Sequence, residues 1–226
     1  MSSELAKMID HSALRPETTK DQILRLCDEA RVFGFCAVCV APVWVPLVKE
    51  ALKGALVRVA TVIGFPHGNT IREVKAYEAG LAIEEGAHEL DMVINIGALK
   101  SRDHEAVFHD ISAVVESARR EQGIVVKVIL ETSLLTEEEK VMGCQLAEKA
   151  GADFVKTSTG FAAGGVTTAD VALIRQVVGN RLGVKAAGGI RDLQTALAMI
   201  RAGADRLGCS ASVSIMKEFL HEETGK

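Results

Sequence analysis

The sequence predicts an α/β fold, a single (β/α)8 TIM barrel with a short N-terminal extension. Three observations predict it: a length of 226 residues, an alternation of short β-rich runs with helix-period segments, and no composition break of the kind that marks a domain boundary. We therefore expect one domain over residues 1–226. The alternative is an open sheet that binds a nucleotide, and it is disfavoured because no G-x-G-x-x-G follows the first strand.

Eight short runs rich in β-branched and apolar residues read as strands. Strands that alternate with helices form parallel sheets, and eight units without a leftover domain favour closure into a barrel. The first and last runs carry the weakest pattern. In order, the predicted strands are residues 8–11, 35–40, 57–63, 89–95, 125–131, 153–158, 183–187 and 204–208.

The segments between these runs read as crossover helices, because their apolar residues recur at intervals of three and four. Examples are residues 19–33, 71–85, 103–121, 137–149 and 169–178, and a helix-like tail follows the last strand. Gly86, Gly151 and Gly203 each stand at a helix end just before a strand. Such a glycine can end a helix in the left-handed conformation at low cost.

Composition excludes several classes of function. The formal net charge of -4 and the pI of about 5.9 leave no basic stripe for nucleic acid or an anionic membrane. No apolar stretch approaches the roughly 20 residues of a membrane span, and the first residues do not resemble a signal peptide. The five cysteines are scattered and lie mostly in apolar runs, which suits reduced thiols. We expect a cytoplasmic protein that binds neither nucleic acid nor membrane.

No metal site is predicted from the histidines and cysteines. Cys36 and Cys39 form a C-x-x-C, but they lie within a predicted strand and no second pair follows at zinc-finger spacing. His104 and His109 are five residues apart, one too many for H-E-x-x-H, and should lie on a solvated helix. We therefore expect neither a metal nor another cofactor.

Charged residues within the predicted strands are the strongest functional signal. In a parallel barrel such side chains reach polar surroundings mainly through the lumen, near its mouth. Three lysines and two acids fit this description: Lys127, Lys156, Lys185, Asp10 and Asp91. Structural ion pairs are the simpler interpretation of any one of them. However, several lysines beside few acids favour chemistry, because burial and a nearby cation can yield a neutral nucleophilic amine.

A phosphate site is predicted after the last two strands. The seventh strand runs into Gly188 and Gly189, and the eighth runs into Ser210 ahead of the helix-like tail. Free backbone amides beside a helix N-terminus bind phosphate at this place in many barrels. The glycine-rich residues 160–165 lack the lysine of a P-loop and are predicted to form a flexible substrate loop instead.

These motifs together resemble deoxyribose-phosphate aldolase. The runs are IDHS at 9–12, ELDMVIN at 89–95, KTSTGF at 156–161 and VKAAGGI at 184–190, and the match spans nearly the whole chain in order. The resemblance implies that Lys156 forms a Schiff base, that Lys185 lowers the pKa of Lys156, and that Asp91 organises proton transfer. It also implies substrate-binding or supporting roles at these positions: Asp10, Ser12, Cys39, Lys127, Thr159, Gly160, Gly188, Gly189 and Ser210.

The implied reaction is the reversible cleavage of 2-deoxy-D-ribose 5-phosphate to acetaldehyde and D-glyceraldehyde 3-phosphate. The resemblance also implies a homodimer or homotetramer. Two positions depart from the family. Some members end in a tyrosine that assists proton transfer, whereas the single tyrosine here is Tyr77, in a predicted helix. Cys209 stands where relatives have other small residues.

Two other classes of function stay open at this point. The first is another barrel enzyme, either a different Schiff-base aldolase or a phosphosugar isomerase that uses a carboxylate base. The second is a non-catalytic sugar-phosphate binding protein. Acetaldehyde with borohydride would label only a Schiff-base enzyme, and a binding protein would give no reason for two lumen lysines.

Overall fold

The computed structural model describes residues 2–224, which form a closed barrel of eight parallel strands. The strands follow each other around the barrel in chain order, and β8 pairs with β1 to close it. They are β1 Ile9–Ala13, β2 Ala37–Val40, β3 Arg58–Ile63, β4 Glu89–Val93, β5 Val125–Ile129, β6 Phe154–Lys156, β7 Gly183–Ala187 and β8 Arg206–Cys209. The predicted (β/α)8 barrel is confirmed.

Helices cover the outside of the barrel, and the first precedes β1 as the expected N-terminal extension. They are α1 Ser2–Ala6, α2 Lys20–Phe33, α3 Val45–Ala51, α4 Arg72–Glu85, α5 Ile96–Lys100, α6 His104–Ala118, α7 Glu137–Lys149, α8 Thr168–Val178, α9 Leu193–Arg201 and α10 Ser212–Thr224. The main core lies between the helices and the outer faces of the strands. No helix within residues 2–224 is both long and apolar enough to cross a membrane.

Several strands are shorter than predicted, because polar side chains and backbone turns end them early. Strand β4 stops at Val93, since Asn95 caps α5 by accepting a hydrogen bond from the amide of Ala98. Strand β5 stops at Ile129, and Glu131 takes a left-handed conformation with φ of 59°. Strand β6 covers only Phe154–Lys156. The carboxylate of Asp153 just before β6 accepts a hydrogen bond from the amide of Val126.

The ends of the sheet also differ from the prediction. Strand β1 extends to Ala13 because that residue pairs with Val40 of β2. Strands β2 and β3 begin at Ala37 and Arg58, and β8 is shifted to Arg206–Cys209. The prediction that glycines end helices in a left-handed conformation is confirmed, since Gly86, Gly151 and Gly203 all have positive φ at helix ends. Helices α3, α5 and α9 lie outside the segments that the prediction gave as examples.

Candidate active site

Strand register places the predicted lysines beside each other. Lys156 of β6 and Lys185 of β7 are direct partners in the sheet, as are Asp91 of β4 and Lys127 of β5. Partners in register point to the same face, so these four side chains enter the lumen together. All four are nearly inaccessible, and Lys156 is the most exposed of them at 3%.

Asp91 is the centre of the charged network. Its Oδ2 atom lies 2.8 Å from the Nζ atom of Lys156 and 2.7 Å from that of Lys185. Its Oδ1 atom lies 2.7 Å from the Nζ atom of Lys127. One carboxylate therefore holds three lysine amino groups at fixed positions, and hydrogen bonds to an ionised carboxylate are among the strong ones in proteins.

Below this layer lie two charged groups that the sequence analysis did not single out. Glu89 is buried and forms an ion pair with Lys127 at 2.6 Å, and Arg206 bridges Asp10 at 2.7 Å to Glu89 at 3.3 Å. The expectation of few acids in the lumen is therefore wrong, because Asp10, Glu89 and Asp91 all enter it. The criterion that found the lysines, a charge within a strand, would have found Glu89 and Arg206 as well.

The lumen lysines differ in pKa because they contact different numbers of carboxylates. Burial is the largest influence on Lys156 and lowers its pKa, Lys185 lowers it further, and Asp91 opposes both without offsetting them. Burial also acts on Lys185, but Asp10 and Asp91 outweigh it and raise the pKa of Lys185 above its ordinary value. Within the lumen, Lys156 is thus biased toward the neutral amine while Lys185 stays an ammonium.

Four other side chains in or beside the network keep their ordinary charge states. Burial opposes ionisation of Asp91, but three lysines outweigh it and hold its pKa well below the usual value. Burial also opposes ionisation of Asp10, but Lys185 and Lys127 outweigh it and lower the pKa of Asp10. Burial disfavours the ammonium of Lys127, yet the pKa of Lys127 is raised because Asp91 and Glu89 more than compensate. Burial raises the pKa of the Cys39 thiol to about 11, so it stays protonated.

A cavity of about 550 Å³ opens above this network. Most of the predicted binding residues lie on its wall: Ser12, Lys156, Thr159, Gly160, Gly188, Gly189 and Ser210. Asp10, Cys39, Asp91, Lys127 and Lys185 do not line the cavity; they lie beneath its floor. Lys156 is therefore the lumen lysine that reaches the cavity.

The late strands build one corner of the cavity. Gly188 and Gly189 have φ of 100° and 81°, a region that favours glycine, so their peptide groups turn at the end of β7. Ser210 follows β8 and precedes α10, whose first turn begins at Ser212. The first amides of a helix have no partner within it, which makes this corner suited to an anion.

The loop after β6 is held by hydrogen bonds. The carboxylate of Glu131 accepts from both the amide and the hydroxyl of Thr159. The amide of Val166 donates to the carbonyl of Gly188 at 3.0 Å, which ties this loop to the one after β7. The flexibility predicted for residues 160–165 stays a prediction.

Some cavity residues gave no usable signal in the sequence. His11 bridges Glu29 of α2 at 2.9 Å and Ser212 of α10 at 3.0 Å, contacts that only the barrel brings together. Arg15 and Arg191 lie in loops at the mouth and add positive charge there. An arginine in a loop is ordinary in any protein, so sequence reasoning has no means to select these two. Across residues 2–224, no three His, Cys, Asp or Glu side chains cluster as a metal site would require.

Comparison with known proteins identifies the family of this chain. The model of the DeoC/LacD family of aldolases matches residues 5–217. The chain belongs to this family. Among curated members, it is 58% identical over 223 residues to deoxyribose-phosphate aldolase 1 of Bacillus licheniformis, covering 99% of both chains. It is 60% identical over 217 residues to the deoxyribose-phosphate aldolase of Halalkalibacterium halodurans, covering 96% of both.

A solved structure of the family has the same fold. The deoxyribose phosphate aldolase of Aeropyrum pernix superposes with a TM-score of 0.91 at 35% identity, over 97% of this chain and 92% of that one. That enzyme is described as tetrameric. As a member of this aldolase family, the chain is a carbon–carbon lyase, and the resemblance read from its motifs is confirmed.

Proposed function

We propose that this chain is a deoxyribose-phosphate aldolase that reversibly cleaves 2-deoxy-D-ribose 5-phosphate to acetaldehyde and D-glyceraldehyde 3-phosphate through a Schiff base on Lys156. The observation that carries the proposal is that Lys156 reaches the cavity and has a lowered pKa, whereas Lys127 and Lys185 lie deeper with raised pKa values. A neutral amine facing the substrate is the nucleophile this chemistry requires.

The reaction begins when the amine of Lys156 attacks the C1 aldehyde of the open-chain sugar. Loss of water gives an iminium, and removal of the C3 hydroxyl proton then breaks the bond between C2 and C3. The electron pair of that bond passes into the iminium, which becomes an enamine, and D-glyceraldehyde 3-phosphate leaves. Protonation at C2 and hydrolysis release acetaldehyde and regenerate Lys156.

Asp91 and Lys185 are proposed to move the protons of this cycle. Oδ2 of Asp91 lies 2.7 Å from Nζ of Lys185 and 2.8 Å from Nζ of Lys156, so two charged groups lie directly beside the reacting amine. A water molecule between this pair and the substrate would carry the proton of the C3 hydroxyl. Gly188, Gly189 and Ser210 are proposed to bind the phosphate, so that binding energy remote from the reacting carbons orients the sugar.

Two parts of the proposal concern the surroundings of the enzyme. We propose a homo-oligomer, supported by the tetrameric relative from Aeropyrum pernix. The cytoplasmic location expected from the sequence stays a prediction.

Trapping with acetaldehyde and borohydride tests the Schiff base. We expect mass spectrometry of peptides to place the reduced adduct on Lys156, and we expect Lys156→Leu to lose cleavage activity by at least about 10,000-fold, the scale seen when a covalent nucleophile is removed. A folded Lys140→Leu variant is the matched control, because Lys140 pairs with Asp170 on the outside of the barrel.

Three outcomes would contradict the assignment. An adduct found solely on Lys127 or Lys185 would move the nucleophile to a different strand. Conversion of deoxyribose 5-phosphate without any adduct would favour an isomerase. Binding of the sugar phosphate without conversion would favour a binding protein.

A further inference from the structure

Glu131, just after β5, has an unusual backbone conformation for its residue type. Its φ of 59° and ψ of 65° lie in the left-handed region. Within residues 2–224, all but two of the residues with positive φ are glycines, and the other exception is Arg102, which is exposed. Glu131, by contrast, is only 3% exposed. A buried conformation that costs more for glutamate than for glycine indicates that the side chain has a role at this position.

The chain around Glu131 contains one residue more than the neighbouring strand end. The amides of Leu130 and Thr132 donate to the carbonyls of Lys156 and Thr157, each at 3.0 Å. In a regular parallel pair, amides two residues apart donate to carbonyls that are also two residues apart. Here the two carbonyls belong to adjacent residues, so Glu131 is an extra residue of the kind found in a β-bulge. Such an insertion changes the direction of a side chain, and it is common beside active sites.

The side chain of Glu131 reaches the loop that follows Lys156. Its Oε2 atom accepts a hydrogen bond from the amide of Thr159 at 3.2 Å and another from the hydroxyl of Thr159. The amide of Phe161 donates to the same hydroxyl oxygen at 3.1 Å. Thr159, Gly160 and Phe161 are consecutive residues of the cavity wall. One buried carboxylate therefore fixes the turn that this loop presents to the cavity.

These hydrogen bonds also determine what the hydroxyl of Thr159 can offer to a ligand. A hydroxyl has one proton to donate and two lone pairs that accept. The proton is donated to Glu131, and one lone pair accepts from the amide of Phe161. Toward a ligand in the cavity, Thr159 can therefore act only as an acceptor. This arrangement fits a hydroxyl group, which can donate, and not an aldehyde oxygen, which can only accept.

We propose that Glu131 is a positioning residue of the active site, whose carboxylate orients the hydroxyl of Thr159 to accept a hydrogen bond from a hydroxyl group of the sugar. Glu131 does not line the cavity, so it acts through Thr159. The proposal rests on the aldolase function proposed above. Under that function the hydroxyl groups lie on the sugar, whereas the product acetaldehyde carries none. Loss of Glu131 should therefore impair cleavage of the sugar but not the reaction of Lys156 with acetaldehyde.

Two variants of Glu131 separate the hydrogen-bond acceptor from the shape of the side chain. Glu131→Gln keeps an oxygen that can accept both bonds, although more weakly than a carboxylate does. Glu131→Met keeps a side chain of similar length without a comparable acceptor. We expect kcat/KM for 2-deoxy-D-ribose 5-phosphate to fall about 100-fold in Glu131→Met, the scale of a contact misplaced by about 1 Å, and by less than about tenfold in Glu131→Gln.

The rate of adduct formation with acetaldehyde is the second measurement. After borohydride reduction, mass spectrometry should show Lys156 labelled in both variants at the wild-type rate, because acetaldehyde has no hydroxyl to place against Thr159. A variant that is merely less well folded would lose cleavage and adduct formation together. Arg102→Met is the matched control, since Arg102 has the same φ of 59° but is exposed and lies outside the cavity wall. It should resemble wild type in both measurements.

Thr159→Val tests the same contact from its other end. Valine has nearly the shape of threonine but lacks the hydroxyl, and the amide of residue 159 can still donate to Glu131. We expect weakened cleavage with unchanged adduct formation, and this variant also decides the matter if Glu131→Met does not fold. In the double variant, the loss of kcat/KM should be smaller than the product of the two single losses, because both changes remove one shared interaction.

Several results would overturn the role of Glu131. They are wild-type cleavage by Glu131→Met or Thr159→Val, an equal loss in Glu131→Met and Glu131→Gln, a parallel loss of cleavage and adduct formation, and single losses that multiply in the double variant. A wild-type protein that cleaves no deoxyribose 5-phosphate would contradict the proposed function itself and the role of Glu131 with it. The two failures are thus distinguished by the wild-type measurement.

Discussion

The different behaviour of Lys156 and Lys185 rests on one carboxylate. Both lysines are buried, both bind Oδ2 of Asp91, and they are partners in adjacent strands. Lys185 has Asp10 as a second carboxylate, whereas Lys156 has none. Burial therefore decides the pKa of Lys156, and charge decides that of Lys185. A lysine biased toward its neutral form and a lysine fixed as an ammonium therefore lie side by side.

Replacement of Lys185 by leucine should show this coupling in the pH dependence of cleavage. Lys185 lowers the pKa of Lys156, so its removal raises that pKa and leaves less neutral amine at a given pH. The rising limb of kcat against pH should move to higher pH by about one unit, and the maximum should fall about 100-fold or more. Steady-state kinetics over a pH series checks both effects.

Circular dichroism must show that this variant is folded, and Lys149→Leu on the outside of the barrel controls for loss of a lysine. An unshifted limb in a folded, active Lys185→Leu would remove the pKa-tuning role of Lys185.

At the scale of single elements, the sequence predicted what lies along each strand but not what each strand meets. Lys127, Lys156 and Asp91 could be selected because a charge in a buried strand is conspicuous. Asp91 pairs with Lys127 and Lys156, which lie 36 and 65 positions away in the chain, and no local pattern encodes such contacts. The end of β4 was also missed, because the capping of α5 by Asn95 competes with strand pairing.

The turn after β7 gives a prediction at this scale. At Gly188, φ is 100°, and an added Cβ atom would lie 3.3 Å from Cβ of Ser158, so Gly188→Ala should displace the loop at a cost of about 1 to 3 kcal/mol. If this loop binds the phosphate, KM for deoxyribose 5-phosphate should rise about tenfold, whereas kcat/KM for unphosphorylated deoxyribose should change little. Initial-rate kinetics with both sugars measures the difference.

Gly97→Ala is the matched control, because Gly97 has no positive φ and the nearest atom to an added Cβ is 3.6 Å away. Equal losses with both sugars in Gly188→Ala would place its effect on the lysine chemistry and not on phosphate binding.

At the scale of the whole molecule, closure of the barrel completes the charged network. Pairing of β8 with β1 brings Arg206 to Asp10, residues 196 positions apart in the chain. The barrel was predictable from eight alternating units, and its cavity position followed from the fold. The complete network of charged side chains in the lumen was not predictable, because it exists only when the first and last strands meet.

Acid unfolding should report this network. The pKa of Asp10 is lowered on folding from an ordinary 3.8, so its stabilisation is present above that value and is lost as pH falls below it toward the folded pKa. In that range the unfolded chain binds one more proton at this site, and the free energy of unfolding should fall by about 1.4 kcal/mol per pH unit on its account.

Denaturant unfolding of wild type and Asp10→Asn between pH 2.5 and about 5 measures the two slopes. Asp10→Asn should be less stable than wild type near neutral pH. Its free energy of unfolding should also fall less steeply as the pH is lowered, and the difference in slope should correspond to about one proton. Asp21→Asn, on the exposed first turn of α2, should decline as wild type does. Equal slopes in wild type and Asp10→Asn would contradict the lowered pKa.

The ionic lumen also has a consequence for how the protein can evolve. Most barrels fill this space with apolar layers, where one residue can be exchanged for another of similar size. Here the carboxylates of Asp10, Glu89 and Asp91 balance the charges of Lys127, Lys185 and Arg206, so a single neutral substitution leaves an uncompensated buried charge, a change that costs about 3 to 5 kcal/mol. Viable substitutions must come in matched pairs. We therefore expect strong epistasis at the centre of the barrel and freer drift in the surrounding helices.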